Sequence, residues 1–451
     1  MTIKKIKWSN HPILGNLELD LINPATGQPF ETIVFAGENG AGKTTILETV
    51  STFLNMGSFE YFDFIEYFAT GNTFKAIQPS DPNPQIKDFF DIVVNSTNTI
   101  KIRTNKNNNR QDIDTNALDI RHYGCVFSKA RADYKTGQIT SITTKHLDTE
   151  KYDNDKEDDF TSLKQLIVDI QNQDNSDYVD LNKGLGTTAK LWSEFYPTSK
   201  IYRFKNAFDS FFGKLKFEKV VDSNNEKAIL FNKNGKEISI DKLSTGEKQI
   251  VFRGIYLLKN NKKLNGAAIM VDEPELSMHP KWQKNILKYY KDLFTENGNQ
   301  NVQLFIATHS EYVLEEALSN KADNLVIVLN DVNGVIEAKR IDAPSVLPSI
   351  TSAETTYLAF DIVSNDYHIE LYGHLQQKAS LNSVKLCDNY IKSHGLYNSA
   401  IQSKASSNPY GIPYETLSTF IRNAIDHPDP SRTFTESELR ISTELLIELC
   451  R

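Results

Sequence analysis

The sequence predicts an α/β fold with a short helical insertion and a C-terminal helical region. Three observations point there. The β-branched apolar run Ile33-Val34-Phe35-Ala36 leads into a glycine-rich turn and then the amphipathic start Ile46-Leu47-Glu48-Thr49-Val50, a strand–loop–helix order. Two further runs, Gly266 to Val271, apolar throughout, and Val302 to Ala307, apolar but for Gln303, do not alternate, as in strands buried on both faces. From Glu354 onward, apolar residues recur mainly at helical spacing.

The 451 residues are enough for two domains, and 39% hydrophobic with 24% charged residues is the composition of an ordinary soluble globular chain. No run approaches a membrane-spanning length, and Met1-Thr2-Ile3-Lys4-Lys5-Ile6 does not read as a secretory signal. Cys125, Cys387 and Cys450 lie far apart without a C-x-x-C pair, so neither a disulfide framework nor a zinc ribbon is expected, and a reducing cytoplasm is. A net charge of −8 with scattered Lys and Arg argues against coating nucleic acid, leaving a local basic groove as the route to any contact with it.

Residues 3 to 35 hold short runs (Ile3, Ile6, Trp8; Leu14, Leu17, Leu19, Leu21) broken by Asn23-Pro24 and Thr26-Gly27, which predicts two or three strands feeding the strand at Ile33. The aromatic segment Phe53 to Phe74, with Phe59, Tyr61, Phe62, Phe64 and Phe68, reads as a helical face packed on the core. Residues 86 to 104 read as strands, and Asn105 to Asp112 as an exposed hairpin tip. After more strand and loop over 120 to 145, an acidic solvated loop from Asp148 to Asp159 precedes a helix with Leu163, Leu166, Ile167 and Ile170 on one face. A second helical stretch, 199 to 217, spaces Phe204, Phe208, Phe211, Phe212 and Leu215 helically, and neither helix sustains coiled-coil heptads. Ala228 to Phe231, the turn Asn234-Gly235 and Glu237 to Ile240 form a predicted hairpin of type I′ chemistry.

Chemistry concentrates in a few blocks. Gly37-Glu38-Asn39-Gly40-Ala41-Gly42-Lys43-Thr44-Thr45 fits the phosphate-loop pattern G-x-x-x-x-G-K-[ST]. Its glycines let backbone N–H groups curl around a polyphosphate, and the following helix turns its positive end toward the same anion. Gly37, Asn39, Gly40, Gly42, Lys43, Thr44 and Thr45 are therefore the cofactor-binding candidates; Lys43 would reach the β- and γ-phosphates of ATP, and Thr44 would ligate Mg²⁺. The second buried run ends in adjacent carboxylates, of which Asp272 would hold Mg²⁺ and Glu273 would polarise the attacking water. The third ends in Thr308-His309-Ser310, with His309 placed to contact the γ-phosphate.

With Leu243-Ser244-Thr245-Gly246-Glu247-Lys248-Gln249 between them, these blocks stand in the order of an ABC-type P-loop ATPase head. The chain resembles the ABC-type ATPases of the SMC, RecF and overcoming-lysogenization-defect group, in the branch found in bacterial anti-phage systems such as PARIS and Septu. The resemblance covers about residues 1 to 345 and implies that Ser244, Gly246 and Glu247 belong to a signature loop that binds the γ-phosphate of ATP held by a second copy. It further implies Ser277 and His279 near the dimer seam, and a glutamine-bearing loop for which Gln111 and Gln138 are candidates. The signature departs from the transporter form at Thr245 and Glu247, as on the SMC-like side, while the insertion, about 146 to 217, lacks the long arms of chromosome-organising ATPases.

Residues 346 to 451 form the expected helical second domain, in which Gly395 to Pro413 reads as a loop. Arg422-Asn423-Ala424-Ile425-Asp426-His427 is similar to the R-N-x-x-x-H ribonuclease motif of HEPN domains, and Pro428 predicts that the helix ends at His427. No Asp-x-Asp pattern of a Toprim nuclease follows Ala343, so any DNA cutting falls to a partner. The expectation is an ATP-hydrolysing sensor or regulatory subunit of an anti-phage system, working as a homodimer that builds a higher homo-oligomer. A separate effector nuclease and a phage-derived trigger are its expected partners. The alternatives are a self-contained toxin using Arg422 and His427 to cut RNA, and a RecF-like DNA repair ATPase.

Overall fold

The computed structural model describes residues 1–80, 90–95, 100–104, 110–154, 160–223, 225–341, 345–407 and 411–451. The chain divides into two compact units, Met1–Lys339 and Arg340–Arg451.

The first unit is organised by a seven-stranded sheet in the order Val335–Arg340, Asn324–Val332, Thr32–Gly37, Gln303–Ala307, Ala268–Asp272, Cys125–Ser128 and Tyr152–Asn154. Successive pairs from Asn324–Val332 through Tyr152–Asn154 are parallel. Their continuous apolar sequences follow from burial on both faces: Ile33, Val34, Phe35, Ile269, Met270, Leu304 and Ile306 are all inaccessible to solvent or nearly so. Register sets Asp272 beside Ala307, and Ala307 beside Phe35. The phosphate loop, the carboxylate pair and Thr308-His309 consequently leave the sheet along one carboxyl edge, where open α/β sheets bind ligands.

A second sheet of six strands runs in the order Glu18–Asp20, Thr2–Trp8, Phe62–Ala69, Asn72–Ile77, Phe90–Val94 and Ile100–Thr104, antiparallel throughout. Together with the helix Lys43–Leu54 it encloses a shared core in which Phe53, Phe59, Phe62 and Phe90 pack ring against ring at 5.1 to 5.6 Å. Each such buried ring contributes roughly 1.5–3 kcal/mol by leaving water. The expected helical face over Phe53 to Phe74 is thus corrected: the helix ends at Leu54, and the aromatics from Phe62 onward belong to a hairpin turning at Thr70-Gly71. The expected hairpin tip is also corrected, because Arg110–Thr115 is a short helix; Asn105 to Asn109 lie outside the described residues.

The insertion contains the helices Phe160–Asn182 and Tyr202–Phe211. The second is shorter than the expected 199 to 217: Phe212 turns to extended backbone, and Leu215 opens a strand, Leu215–Ser223. That strand pairs with Glu226–Lys233, which pairs in turn with Lys236–Ser239 across the predicted turn. Of the acidic loop, Asp155 to Asp159 lie outside the described residues, while Asp148 is anchored by Arg203 at 2.9 Å.

The second unit is built from the helices Ser352–Phe360, Asn365–Lys378, Val384–Ser393, Leu417–Asp426 and Glu436–Cys450. Thr351, Ser364, Ser383, Thr416 and Thr435 cap their first turns by accepting backbone N–H bonds. One cluster of Tyr367, Leu371, Leu375, Ile391 and Leu446 and another of Leu417, Phe420, Ile421 and Leu439 form its core. The expected loop from Gly395 to Pro413 instead holds a helical turn, Ser399–Gln402, and a strand, Ser403–Ser407, paired with Pro413–Thr416.

Candidate functional site

The phosphate loop follows the strand Thr32–Gly37 and ends at the helix Lys43–Leu54. Gly37 has φ +134°, and a Cβ there would lie 2.2 Å from the carbonyl oxygen of Leu329 on the neighbouring strand. Gly42 caps the helix at φ +85°, and its Cβ would meet Leu14 at 2.7 Å. Gly37 therefore requires glycine for space as well as for conformation, and Gly42 for conformation, because the Leu14 methyl can shift. Asn39, Gly40 and Thr44 are exposed and Thr45 is half-buried, whereas Lys43 is buried.

Lys43 Nζ donates to the carbonyl oxygens of Gly37 and Glu38, each at 2.8 Å, so its ammonium spans the mouth of its own loop. Burial lowers its pKa to about 8, against the opposing pull of Asp272 and Glu273. Thr44 Oγ1 donates to both oxygens of Asp272, at 3.0 and 3.2 Å. Burial raises the Asp272 carboxyl above its ordinary range, and the Thr44 hydrogen bond opposes that rise. A hydroxyl and a carboxylate meeting in this way are hard oxygen donors of the kind Mg²⁺ takes, so Thr44 and Asp272 fit the ion.

Glu273 has left-handed backbone, φ +43°, and its N–H donates to Ala307 O at 2.9 Å. His309 Nε2 lies 3.6 Å from Glu273 Oε1. Burial and the charge of Lys43 lower the His309 pKa, which keeps the imidazole neutral. Glu275, which is not among the residues singled out from the sequence, is buried and accepts from Thr308 Oγ1 and from the His309 N–H, both at 2.7 Å. It fixes the backbone that carries the histidine, and no spacing rule in the sequence marks it out.

Lys43, Thr44, Asp272, Glu273 and His309 therefore meet at one sheet edge, while Ser244, Gly246 and Glu247 have other partners. Ser244 caps the helix Thr245–Leu258 in a reciprocal box: its N–H and hydroxyl donate to Glu247 Oε2, both at 2.9 Å. Glu247 Oε1 also holds Lys233 at 2.7 Å. Ser244 remains exposed at the helix's positive end, and Gly246 sits so close to Ser277 that a Cβ would fall 2.7 Å from its carbonyl oxygen. Ser277 and His279 are exposed, and His279 Nδ1 accepts from Lys281 N–H at 3.1 Å.

Neither glutamine candidate stands at the strand beside the carboxylates. Gln111 lies in the short helix upstream, Gln138 lies farther along the loop, and the residue leaving the strand Cys125–Ser128 is Lys129, ion-paired to Glu48 at 3.0 Å. In the second unit, Arg422 contacts Asp426 at 2.6 Å and Asn423 at 3.0 Å, and His427 is exposed just past the helix end.

Residues 33–315 match the family described as "AAA domain, putative AbiEii toxin, Type IV TA system". The match opens on the phosphate-loop strand and closes just beyond His309, taking in every block of the site. The chain belongs to this family. It is also 37% identical over 98 residues to the retron Vc95 probable ATPase of Vibrio cholerae serotype O1 biovar El Tor, covering 20% of this chain and 18% of that protein. Over 175 residues it is 27% identical to the retron Ec83 probable ATPase of Escherichia coli, covering 35% and 30% respectively. The matched stretch thus spans less than a third of either relative. Among solved structures, the SMC head domain from Thermotoga maritima superposes with a TM-score of 0.40 at 13% identity, over 76% of this chain and 100% of that one. An SmcHead bound to the C-winged helix domain of ScpA gives 0.41 at 13% identity, over 76% and 98%. Among the described residues, no helix is long and apolar enough to cross a membrane.

Proposed function

We propose that this AAA family member hydrolyses ATP between two copies of itself and, through that cycle, controls a separate effector nuclease or toxin in bacterial anti-phage defence. The observation that carries the catalytic reading is the convergence of the Thr44 hydroxyl and the Asp272 carboxylate beside Lys43, with Glu273 and His309 on the same edge. The defence setting is supported by the retron ATPases to which the chain is similar.

In this reading the phosphate-loop N–H groups and Lys43 hold the triphosphate. Mg²⁺, held by Thr44 and Asp272, would neutralise charge on the transferred phosphoryl group. Glu273 orients and deprotonates the attacking water, and neutral His309 donates to a γ-phosphate oxygen. Ser244, with Gly246 packed behind it against Ser277, stands at an exposed helix N-terminus, which suits an anion delivered by a second copy.

Steady-state turnover tests the assignment. Lys43→Ala and Glu273→Gln should each lower kcat by at least ~10²-fold, the size of a lost general base or phosphate clamp, with Glu273→Gln still retaining ATP. Normal turnover in Glu273→Gln would refute the base.

A further inference from the structure

The helix Thr245–Leu258 presents one face to the carboxylate segment at three points. At Gly246 the backbone approaches Ser277 closely enough to exclude a side chain. One turn on, Gln249, fully buried, donates through Nε2 to the carbonyl oxygens of Glu273 at 3.4 Å and Pro274 at 3.3 Å. Another turn on, the buried Arg253 donates from its two terminal nitrogens: one to Asp272 O at 2.7 Å and Lys129 O at 2.7 Å, the other to Glu273 O at 3.2 Å. Positions 246, 249 and 253 follow the three- and four-residue spacing of a single helical face.

What this face grips is main chain, not side chain. The gripped segment includes Glu273 at φ +43° and Ser277 at φ +61°, both in the region that L-residues enter only when their surroundings hold them there. A guanidinium spanning the carbonyl oxygens of Asp272, Glu273 and Lys129 fixes the two strand ends that flank the site, and Gln249 fixes the next peptide. The exposed end of the same rigid helix is the Ser244 cap.

We propose that Arg253 and Gln249 are positioning residues that hold the Glu273 backbone in its hydrolytic setting. They make the helix Thr245–Leu258 a lever between its exposed N-terminus and the carboxylates of the same chain. A nucleotide from a second copy that engages Ser244 then acts on this chain's own water-activating residue, so the two sites of a pair are coupled. The inference rests on the reading of Glu273 as the base, and deepens it.

Full-length Arg253→Ala, Gln249→Leu and Glu273→Gln proteins, compared with the parent for ATP turnover with Mg²⁺, test it. Misplacing a catalytic group by about 1 Å costs on the order of 10²-fold, so Arg253→Ala should lose ~10- to 100-fold in kcat while its KM for ATP moves less than about threefold. Gln249→Leu, which leaves the guanidinium in place and guards against misfolding of the arginine variant, should lose ~3- to 10-fold in kcat at parental melting temperature. Millimolar guanidinium should restore turnover to Arg253→Ala and leave Glu273→Gln unchanged. Parental kcat in both helix variants would overturn the inference, as would equal losses of kcat and ATP binding with no guanidinium rescue. An inactive Glu273→Gln beside a fully active Arg253→Ala defeats the lever alone; a fully active Glu273→Gln defeats the underlying assignment of the base.

Discussion

Replacing Gly37 by alanine should disable the phosphate loop through its backbone. The added Cβ would sit 2.2 Å from Leu329 O, well inside any contact distance, at a φ of +134° that alanine avoids. Leu329 cannot retreat freely, because it is the register partner of Gly37 in the parallel ladder and is fully buried. Overpacking of a rigid site costs ~1–3 kcal/mol and a forced backbone region a further ~1–3 kcal/mol, so the sum is about 2–6 kcal/mol. In a unit of this size each kcal/mol moves the melting temperature by about 2 °C, so the expected drop is about 4–12 °C. Gly40→Ala is the internal control: nothing lies within 4 Å of its Cβ, and only the φ of +85° is penalised. Differential scanning fluorimetry with and without ATP reads both terms. Gly37→Ala should melt early and lose the ATP-induced rise, while Gly40→Ala should melt within a few degrees of the parent. Equal melting and equal ATP stabilisation in the two variants would refute the steric argument.

Lys43 should make ATP binding pH-dependent. Its pKa of about 8 in the free protein rises when it meets phosphate, so the proton-linked part of the affinity is complete below that value and is lost above it. Isothermal titration should show ATP affinity flat from pH 7 to 8, then falling by up to ~10-fold per pH unit, a dependence that Lys43→Met abolishes. In the second unit, buried Asp388 accepts from the N–H groups of Glu415 and Thr416 and from the Thr416 hydroxyl at 2.8 to 3.2 Å. Asp388→Ala should therefore destabilise that unit by about 3–5 kcal/mol in denaturant unfolding. Because Arg422 is engaged by Asp426 and Asn423, the purified chain should not cut RNA. Cleavage that disappears in both Arg422→Ala and His427→Ala would move the effector function into this chain.

The sheet and the meeting of Lys43, Thr44, Asp272, Glu273 and His309 at its edge were legible because their physics is local. A buried parallel strand needs an unbroken apolar run, and a phosphate loop needs glycines between strand and helix, so Ile33 to Thr45 and Ile269 to Glu273 could be read directly. The aromatic hairpin was missed because Phe59, Phe62, Ile65 and Phe68 recur every third residue, and a pairing shift opposite Phe62 and Phe64 breaks the strict alternation of its first strand. The strand at Leu215 was missed for a related reason: Leu215 continues the spacing of Phe208, Phe211 and Phe212 although the backbone has already turned extended at Phe212. Gln249, Arg253 and Glu275 were invisible as functional residues because they act on main-chain groups remote in sequence, or on groups brought beside them by the sheet register. No composition or period encodes that.

The proposed mechanism requires that ATP be enclosed by two chains. Light scattering on Glu273→Gln with saturating ATP and Mg²⁺ measures this directly, with bound nucleotide counted in the same peak. The expected species has twice the chain mass and carries two ATP molecules, and it reverts to single chains when Ser244 is replaced by arginine. A single-chain mass with ATP fully bound would contradict the account.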